Sequence, residues 1–169
     1  MSKILAFDQA ANITGWSLWE DGKPIKWGII TPQPKNLKEG KRLSSLRTQF
    51  STVIHESGAS TVLLEDPVGS QENSYKRPEN NWKTVQILSQ VQGVLLQLID
   101  EYNKKAVIVS PSTWQNTCGI HKRDRESRKA GAVEFIKKTY NINAEQDVID
   151  SLCIAHHYLT KEKYERSAF

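Results

Sequence analysis

Four acidic residues occupy positions where their carboxylates could bind metal ions and take part in hydrolysis. Asp8 follows the first buried strand predicted in the chain, and Glu65 follows the fourth. Asp147 and Asp150 lie three residues apart at the start of the last predicted helix, so they share one helix face about a turn apart. A carboxylate at the end of a buried strand is costly unless it is paired or bound to a metal ion. Converging carboxylates need a cation, and their oxygens suit Mg²⁺ or Mn²⁺.

Each of these acids also has a simpler structural explanation. Acidic residues in the first turn of a helix stabilise it by capping and through the helix dipole, which alone would account for Asp147 and Asp150. Asp8 could start a turn, and Glu65-Asp66-Pro67 could belong to a loop. Two strand ends combined with one helix start are harder to obtain by chance, and the combination favours a shared site.

The elements that must position these acids are predicted from hydrophobic periodicity. Apolar runs and alternation predict five strands, near residues 3–7, 15–19, 25–29, 61–64 and 106–109. Helical spacing predicts helices near residues 43–54, 85–102, 130–140 and 147–159. A capping box of Ser112 and Gln115 predicts a short helix after the fifth strand. We therefore expect an α/β fold with a five-stranded mixed sheet, a three-strand antiparallel meander plus two parallel strands, and helices on both faces.

The length and composition favour one globular domain in a reducing cytosol. The chain has 169 residues, 38% of them hydrophobic and 25% charged, which is typical of a folded domain without stapling disulfides. The apolar stretches are too short to cross a membrane, and Asp8 interrupts the region where a signal peptide needs an apolar run. Cys118 and Cys153 lack the pairing of a disulfide scaffold or a cysteine zinc site.

Two segments carry residues suited to nucleic-acid contacts, and the net charge of +4 leans toward anionic partners. One segment follows Glu65 and could hold an unstacked base, and the other precedes the fourth helix and could contact phosphates. A solvated helix face is the alternative explanation for the second segment. The candidate DNA-binding residues are Tyr75, Lys76, Arg77, Lys122, Arg123, Arg125, Arg128 and Lys129.

Five motifs resemble those of one known family. I-L-A-F-D-Q-A-A-N-I-T-G-W-S-L, V-L-L-E-D-P, L-S-Q-V-Q-G-V-L-L, V-S-P-S-T-W-Q-N-T-C-G-I and Q-D-V-I-D-S-L-C-I-A-H-H follow each other along the chain. In this order they resemble RuvC-type Holliday junction resolvases of the RNase H-like superfamily, in a phage-encoded form. The last motif is the most specific, and the likeness covers about 150 residues.

The resemblance implies a single RNase H-like nuclease domain over residues 1–169 that acts in the cytoplasm of a bacterial host. The implied enzyme is a metal-dependent endodeoxyribonuclease that resolves four-way DNA junctions by paired symmetric nicks, using two Mg²⁺ ions for which Mn²⁺ can substitute. Its catalytic and metal-binding residues would be Asp8, Glu65, Asp147 and Asp150. No membrane and no nucleotide cofactor are expected. Because a junction has two-fold symmetry, we expect a homodimer, with the helix at residues 84–102 as its interface.

The chain also departs from the family pattern. Trp114 stands near the position where the family commonly has a lysine, and Val68 stands where bacterial members have an aromatic residue. Tyr75 or Trp82 could supply the stacking instead. The alternatives are another RNase H-like nuclease acting on flaps, forks or an RNA strand, and a non-catalytic protein that binds branched DNA. An ATP-binding protein of the actin and sugar-kinase fold is a further alternative, but the chain is too short for its two domains.

Overall fold

A computed structural model describes residues 3–67, 81–121 and 124–167. It contains five strands, β1 (Lys3–Asp8), β2 (Thr14–Glu20), β3 (Lys23–Ile30), β4 (Thr61–Glu65) and β5 (Lys105–Val109). It also contains five helices, α1 (Glu39–Ser57), α2 (Asn81–Glu101), α3 (Pro111–Thr117), α4 (Arg125–Tyr140) and α5 (Gln146–Ser167). Five of the predicted DNA-binding residues lie outside the described residues: Tyr75, Lys76, Arg77, Lys122 and Arg123.

The five strands form one mixed sheet in the order β3-β2-β1-β4-β5. β1, β2 and β3 pair antiparallel, while β4 pairs parallel with both β1 and β5. The β2–β3 hairpin turns at Asp21 and Gly22, whose φ angles of 50° and 75° are ones that Asp and Gly tolerate. This architecture confirms the predicted meander and the two parallel strands.

The central strand β1 is buried on both faces because helices cover both sides of the sheet. Leu5 and Phe7 pack in one core cluster with α1 and α2, while Ile4 and Ala6 pack in a second cluster with α3, α4 and α5. Such burial explains why β1 is a continuous apolar run rather than an alternating one. Its last residue, Asp8, comes where this apolar cover ends.

Several helix boundaries differ from the sequence-based prediction, since α1, α2 and α4 begin four or five residues earlier than predicted. Two further differences, in α3 and α5, have a clear physical reason. α3 begins at Pro111 after the N-cap Ser110, so the predicted start at Ser112 is wrong. Proline is favoured in the first turn of a helix because the backbone N–H it lacks would be unbonded there. α5 runs to Ser167 rather than ending near residue 159. Its polar last turns carry the ion pairs Lys161–Glu165 and Glu162–Arg166, four residues apart.

The long helix α2 packs one side into the core and exposes another. Ile99 is 1% exposed and belongs to the core cluster that α2 shares with α1. Trp82 and Leu96 are the large apolar side chains that α2 exposes. None of the helices in the described ranges is long and apolar enough to cross a membrane.

Candidate active site

Strand pairing brings the first two acids together. β1 and β4 are parallel neighbours in register, with Phe7 paired to Leu64, so Asp8 and Glu65 follow side by side. The carboxyl ends of neighbouring parallel strands meet at one edge of a sheet, which is the usual place for a site in such folds. Both side chains therefore reach the same edge of the sheet, although they lie 57 positions apart in the sequence.

A glycine lets the start of α5 approach this edge. Gly15 of β2 pairs with Asp8, and a Cβ atom placed on Gly15 would lie 1.9 Å from the backbone oxygen of Asp147. Only a glycine leaves room for that contact between strand and helix. Behind it, Val148 and Ile149 anchor the helix in the core. This close approach brings Asp147, and Asp150 one helical turn later, to the sheet edge that carries Asp8 and Glu65.

All four predicted acids line one cleft of about 330 Å³. Three of the predicted DNA-binding residues that the structure describes line it too: Arg125, Arg128 and Lys129. They come from the first turns of α4, which is capped by Asp124 accepting a hydrogen bond from the backbone N–H of Ser127 at 2.8 Å. The cleft thus combines carboxylates on its floor with cations from a neighbouring helix.

Burial and mutual repulsion raise the pKa values of the strand carboxylates. The pKa of Asp8 is raised well above its ordinary value, first by burial and then by the charges of Glu65 and Asp150. Burial likewise raises the pKa of Glu65 to about 7, against a hydrogen bond that lowers it. Because several carboxylates share this cleft, each ionised group disfavours the next.

The helix carboxylate responds to the same environment. Burial raises the pKa of Asp150 to about 6, and the charge of Asp147 adds to the rise. A hydrogen bond from Gln146 and the positive charge of Lys129 oppose it. The Gln146 Nε2 atom donates to Asp150 Oδ1 at 2.9 Å. Asp150 is thus oriented by its own helix, while a cation of α4 partly balances its charge.

Glutamine side chains clamp the backbone beside Glu65. The Gln9 side chain donates from Nε2 to the Glu65 carbonyl, and its Oε1 accepts from the Glu65 backbone N–H at 3.0 Å. Gln92 of α2 donates to the same carbonyl at 3.3 Å. Gln9, 5% exposed, ties the residue after Asp8 to the residue that ends β4. Sequence reasoning missed this clamp, since a glutamine after an acid carries no signal until the strands are paired.

Trp114 supplies a further contact to the site. Its indole Nε1 donates to Glu65 Oε1 at 2.7 Å, from a side chain that is only 5% exposed. The sequence pattern marked Trp114 merely as the place of a missing lysine. In the structure this residue lines the cleft and binds an acid with a neutral donor. One strand acid, Glu65, and one helix acid, Asp150, are thus each oriented by a hydrogen bond to the carboxylate.

The chemistry of this donor set fits a divalent cation. Four carboxylates in one cleft offer hard oxygen ligands, and a cation would relieve the repulsion that raises their pKa values. Among the described residues, no three His, Cys, Asp or Glu side chains are already gathered into an ion-binding group. The four acids therefore share the cleft without closing around one point.

Two histidines of α5 do not line this cleft. His156 Nδ1 lies 2.6 Å from the Tyr140 hydroxyl, and His157 Nδ1 lies 2.6 Å from Thr117 Oγ1. Burial lowers the pKa of both rings. His157 instead borders a larger cavity, of about 480 Å³, between β5 and the second half of α5. That cavity contains none of the four acids, so its size does not make it the better candidate.

The sheet order, the parallel β1–β4 pair and the acids at their ends define the class of the fold as RNase H-like. The fold of RuvC from Thermus thermophilus in complex with a Holliday junction substrate matches with a TM-score of 0.76 at 10% identity, over 97% of this chain and 96% of that chain. The yeast mitochondrial Holliday junction resolvase matches with a TM-score of 0.58 at 17% identity, over 98% of this chain and 82% of that chain. These likenesses confirm the predicted fold.

Sequence comparison gives the particular relatives. The crossover junction endodeoxyribonuclease RuvC of Dictyoglomus thermophilum is 24% identical over 164 residues, which cover 95% of this chain and 98% of that protein. The protein of the same name from Dictyoglomus turgidum is equally similar. No protein-family model matches the chain. The full-length similarity confirms the resemblance to RuvC-type resolvases that the motifs indicated.

Proposed function

We propose that this chain is a metal-dependent endodeoxyribonuclease that resolves four-way DNA junctions by paired symmetric nicks. The observation that carries the proposal is the shared cleft of Asp8, Glu65, Asp147 and Asp150 at the edge of an RNase H-like sheet. The similarity to RuvC over almost the whole of both chains supports the same activity. In this proposal residues 1–169 act as one nuclease domain.

The four acids are proposed to hold the metal, with Mg²⁺ as the favoured ion and Mn²⁺ as a substitute. Asp8 ends the central strand and interacts electrostatically with all three other acids, so it would hold the metal together with them. Glu65 and Asp150 complete the set, with Asp147 in support. Bound metal would activate a water molecule and stabilise the leaving oxygen of the phosphodiester. The chain contributes by holding these carboxylates in a buried, oriented array.

Arg125, Arg128 and Lys129 are proposed to contact the DNA backbone. They line the cleft on the α4 side, and the positive charge of Lys129 acts on both Asp8 and Asp150. Contacts of this kind position a duplex without reading its sequence. The same cations therefore set affinity and bring a scissile phosphate toward the acids. Tyr75, Lys76, Arg77, Lys122 and Arg123 are proposed to contact the same DNA.

A homodimer is proposed because two symmetric nicks require two active sites related by a two-fold axis. The face of α2 that exposes Trp82 and Leu96 is the candidate interface. These side chains are 72% and 38% exposed, and large exposed apolar groups on one helix are typical of an association surface. Analytical ultracentrifugation of the chain alone and with a junction tests this part of the proposal.

Cleavage of a synthetic four-way junction tests the function. Wild type should nick the junction at symmetric positions in Mg²⁺ and not in chelator, while Asp8→Asn should bind the junction and leave it intact. Asp21→Asn is the matched control, since Asp21 lies in an exposed turn with φ 50° that asparagine tolerates. Faster cleavage of flaps, forks or RNA–DNA hybrids than of junctions would overturn the junction assignment. Junction binding without any cleavage in Mg²⁺ or Mn²⁺ would overturn the assignment of nuclease activity.

A further inference from the structure

Two tryptophans are buried in the same core cluster and use their indole N–H differently. Trp19 of β2 is fully buried, and its Nε1 donates to Ser17 Oγ at 3.0 Å. Trp114 of α3 donates instead to Glu65 Oε1 at 2.7 Å, a carboxylate of the acidic cleft. A hydrogen bond to a carboxylate is shorter and stronger than one between neutral groups once the acid is ionised. The Trp114 bond therefore acts on the site, whereas the Trp19 bond acts only on packing.

The backbone of Glu65 is already fixed, so its remaining freedom is rotation of the side chain. The Gln9 amide bonds both the N–H and the carbonyl of Glu65. The indole of Trp114 then holds one carboxylate oxygen, Oε1, in place. The second oxygen, Oε2, takes no part in this hydrogen bond and would act as the ligand. A carboxylate held in this manner loses less rotational freedom when it binds a cation.

Trp114 can act as an anchor because α3 is itself fixed to the helix that carries Asp150. The Thr117 hydroxyl at the end of α3 and His157 of α5 form a hydrogen bond of 2.6 Å. The indole ring packs in the core cluster that α5 builds against the sheet. One connected set of contacts thus runs from α5 through α3 to the carboxylate of β4.

We propose that Trp114 is a positioning residue for metal binding, because its indole N–H orients the Glu65 carboxylate as a ligand. This inference rests on the proposed function, in which Glu65 binds the metal. The donor is neutral at every accessible pH and adds no positive charge to a cleft that must receive a cation. Partners that orient a ligand in this way typically contribute 10–100-fold to metal affinity.

Trp114→Phe tests the inference, because phenylalanine keeps an aromatic ring and removes the N–H. Trp19→Phe is the matched control, since it removes an equally buried indole hydrogen bond remote from the acids. Mn²⁺ binding is measured by the loss of the free-ion electron paramagnetic resonance signal, without DNA. We expect Trp114→Phe to bind Mn²⁺ about 10–100-fold more weakly than wild type, and Trp19→Phe to bind it as wild type does. Equal affinity in the two variants, or tighter binding by Trp114→Phe, would overturn the inference.

A second measurement separates positioning from folding. In ¹⁵N-labelled protein, Mg²⁺ addition and Glu65→Gln should each move the Trp114 indole resonance and leave that of Trp19 in place. An unmoved Trp114 resonance would contradict the contact even if a variant folded poorly. Junction cleavage by wild type is read in parallel. Its absence would refute the proposed function, whereas cleavage with wild-type Mn²⁺ affinity in Trp114→Phe would refute this inference alone.

Discussion

Individual carboxylates in the cleft have raised pKa values that fit the proposed role of binding a cation. Asp8, Glu65 and Asp150 all have pKa values raised by burial, and in each case a neighbouring acid adds to the rise. Ionising them together at neutral pH costs free energy, because like charges repel. A bound cation would offset this cost. These raised pKa values should therefore be measurable in the metal-free protein as a pH dependence of its stability.

The pH dependence of stability follows from the sign of these shifts. The folded-state pKa of Glu65 is raised from 4.5 to about 7, so the folded chain binds this proton more tightly than the unfolded chain does. The associated stabilisation is fully present below about pH 4.5 and is lost as the pH rises through about 7. Glu65→Gln removes this dependence. We expect the free energy of unfolding of Glu65→Gln to rise relative to wild type by about 3 kcal/mol between pH 4.5 and 8.

Urea unfolding in chelator at several pH values measures this difference. Comparing the two proteins cancels the contribution of His156 and His157, whose lowered pKa values act in the opposite direction. A pH-independent difference between Glu65→Gln and wild type would contradict the prediction. Adding Mg²⁺ at pH 8 should stabilise wild type more than Glu65→Gln, because a ligand that binds the folded state stabilises it.

At the scale of elements, the contact between β2 and the start of α5 decides whether the acids meet. Gly15 lies against the backbone of Asp147 and Val148, and no side chain fits between them. The strand acids come from β1 and β4, whose pairing is secured by the buried sheet centre. The helix acids depend on how closely α5 approaches that sheet. The site is therefore most sensitive to changes at this one packing contact.

Gly15→Ala should lower both stability and cleavage. The added Cβ would lie 1.9 Å from the Asp147 oxygen, so strand and helix must separate, at a cost of about 1–3 kcal/mol or more. Gly40→Ala is the control, because Gly40 is exposed in α1 with open space around it, and alanine there should stabilise the chain by about 0.5–1 kcal/mol. Thermal unfolding and junction cleavage measure both effects. Unchanged cleavage in a folded Gly15→Ala variant would show that the helix acids need no close approach.

At the scale of the whole molecule, the position of the positive charges supports our proposal that DNA binds at the cleft. The net charge of +4 is modest, but Arg125, Arg128 and Lys129 lie together beside the acids. Arg47, by contrast, does not line the cleft and forms an ion pair with Glu101 at 2.7 Å. Affinity for a polyanion therefore depends on where the cations lie more than on their total number.

The double variant Arg125→Gln with Arg128→Gln tests this distribution. Each lost phosphate contact should reduce the slope of log affinity against log salt by about 0.9, so the slope should fall by up to about 1.8. Lys137→Gln with Lys138→Gln removes the same charge from the exposed last turn of the same helix and should change the slope less. Fluorescence anisotropy with a labelled junction measures both. Equal slopes in the two variants would mean that α4 presents only a solvated face. The nick positions should be unchanged in both variants, because backbone contacts do not read the sequence.

The sequence by itself determined the elements and the identity of the acids. Apolar runs and alternation predicted all five strands. The runs of β1 and β4 reflect their burial on both faces, and two of the acids stood out because they directly follow those runs. Local patterns failed at the start of α3, where Ser110 and Ser112 are competing candidates for the N-cap. They also failed at the end of α5, where polar turns extend the helix beyond its apolar pattern. Element type is thus encoded locally, and element ends less so.

Only the tertiary structure decided how the acids are held. The Gln9 clamp and the Trp114 bond to Glu65 join residues 56 and 49 positions apart, and no local pattern carries such a pairing. Hydrogen bonds between distant segments exist only after the sheet and its covering helices bring those segments together. The types of the acids follow from the sequence, whereas their orientation and raised pKa values follow from burial and from these contacts.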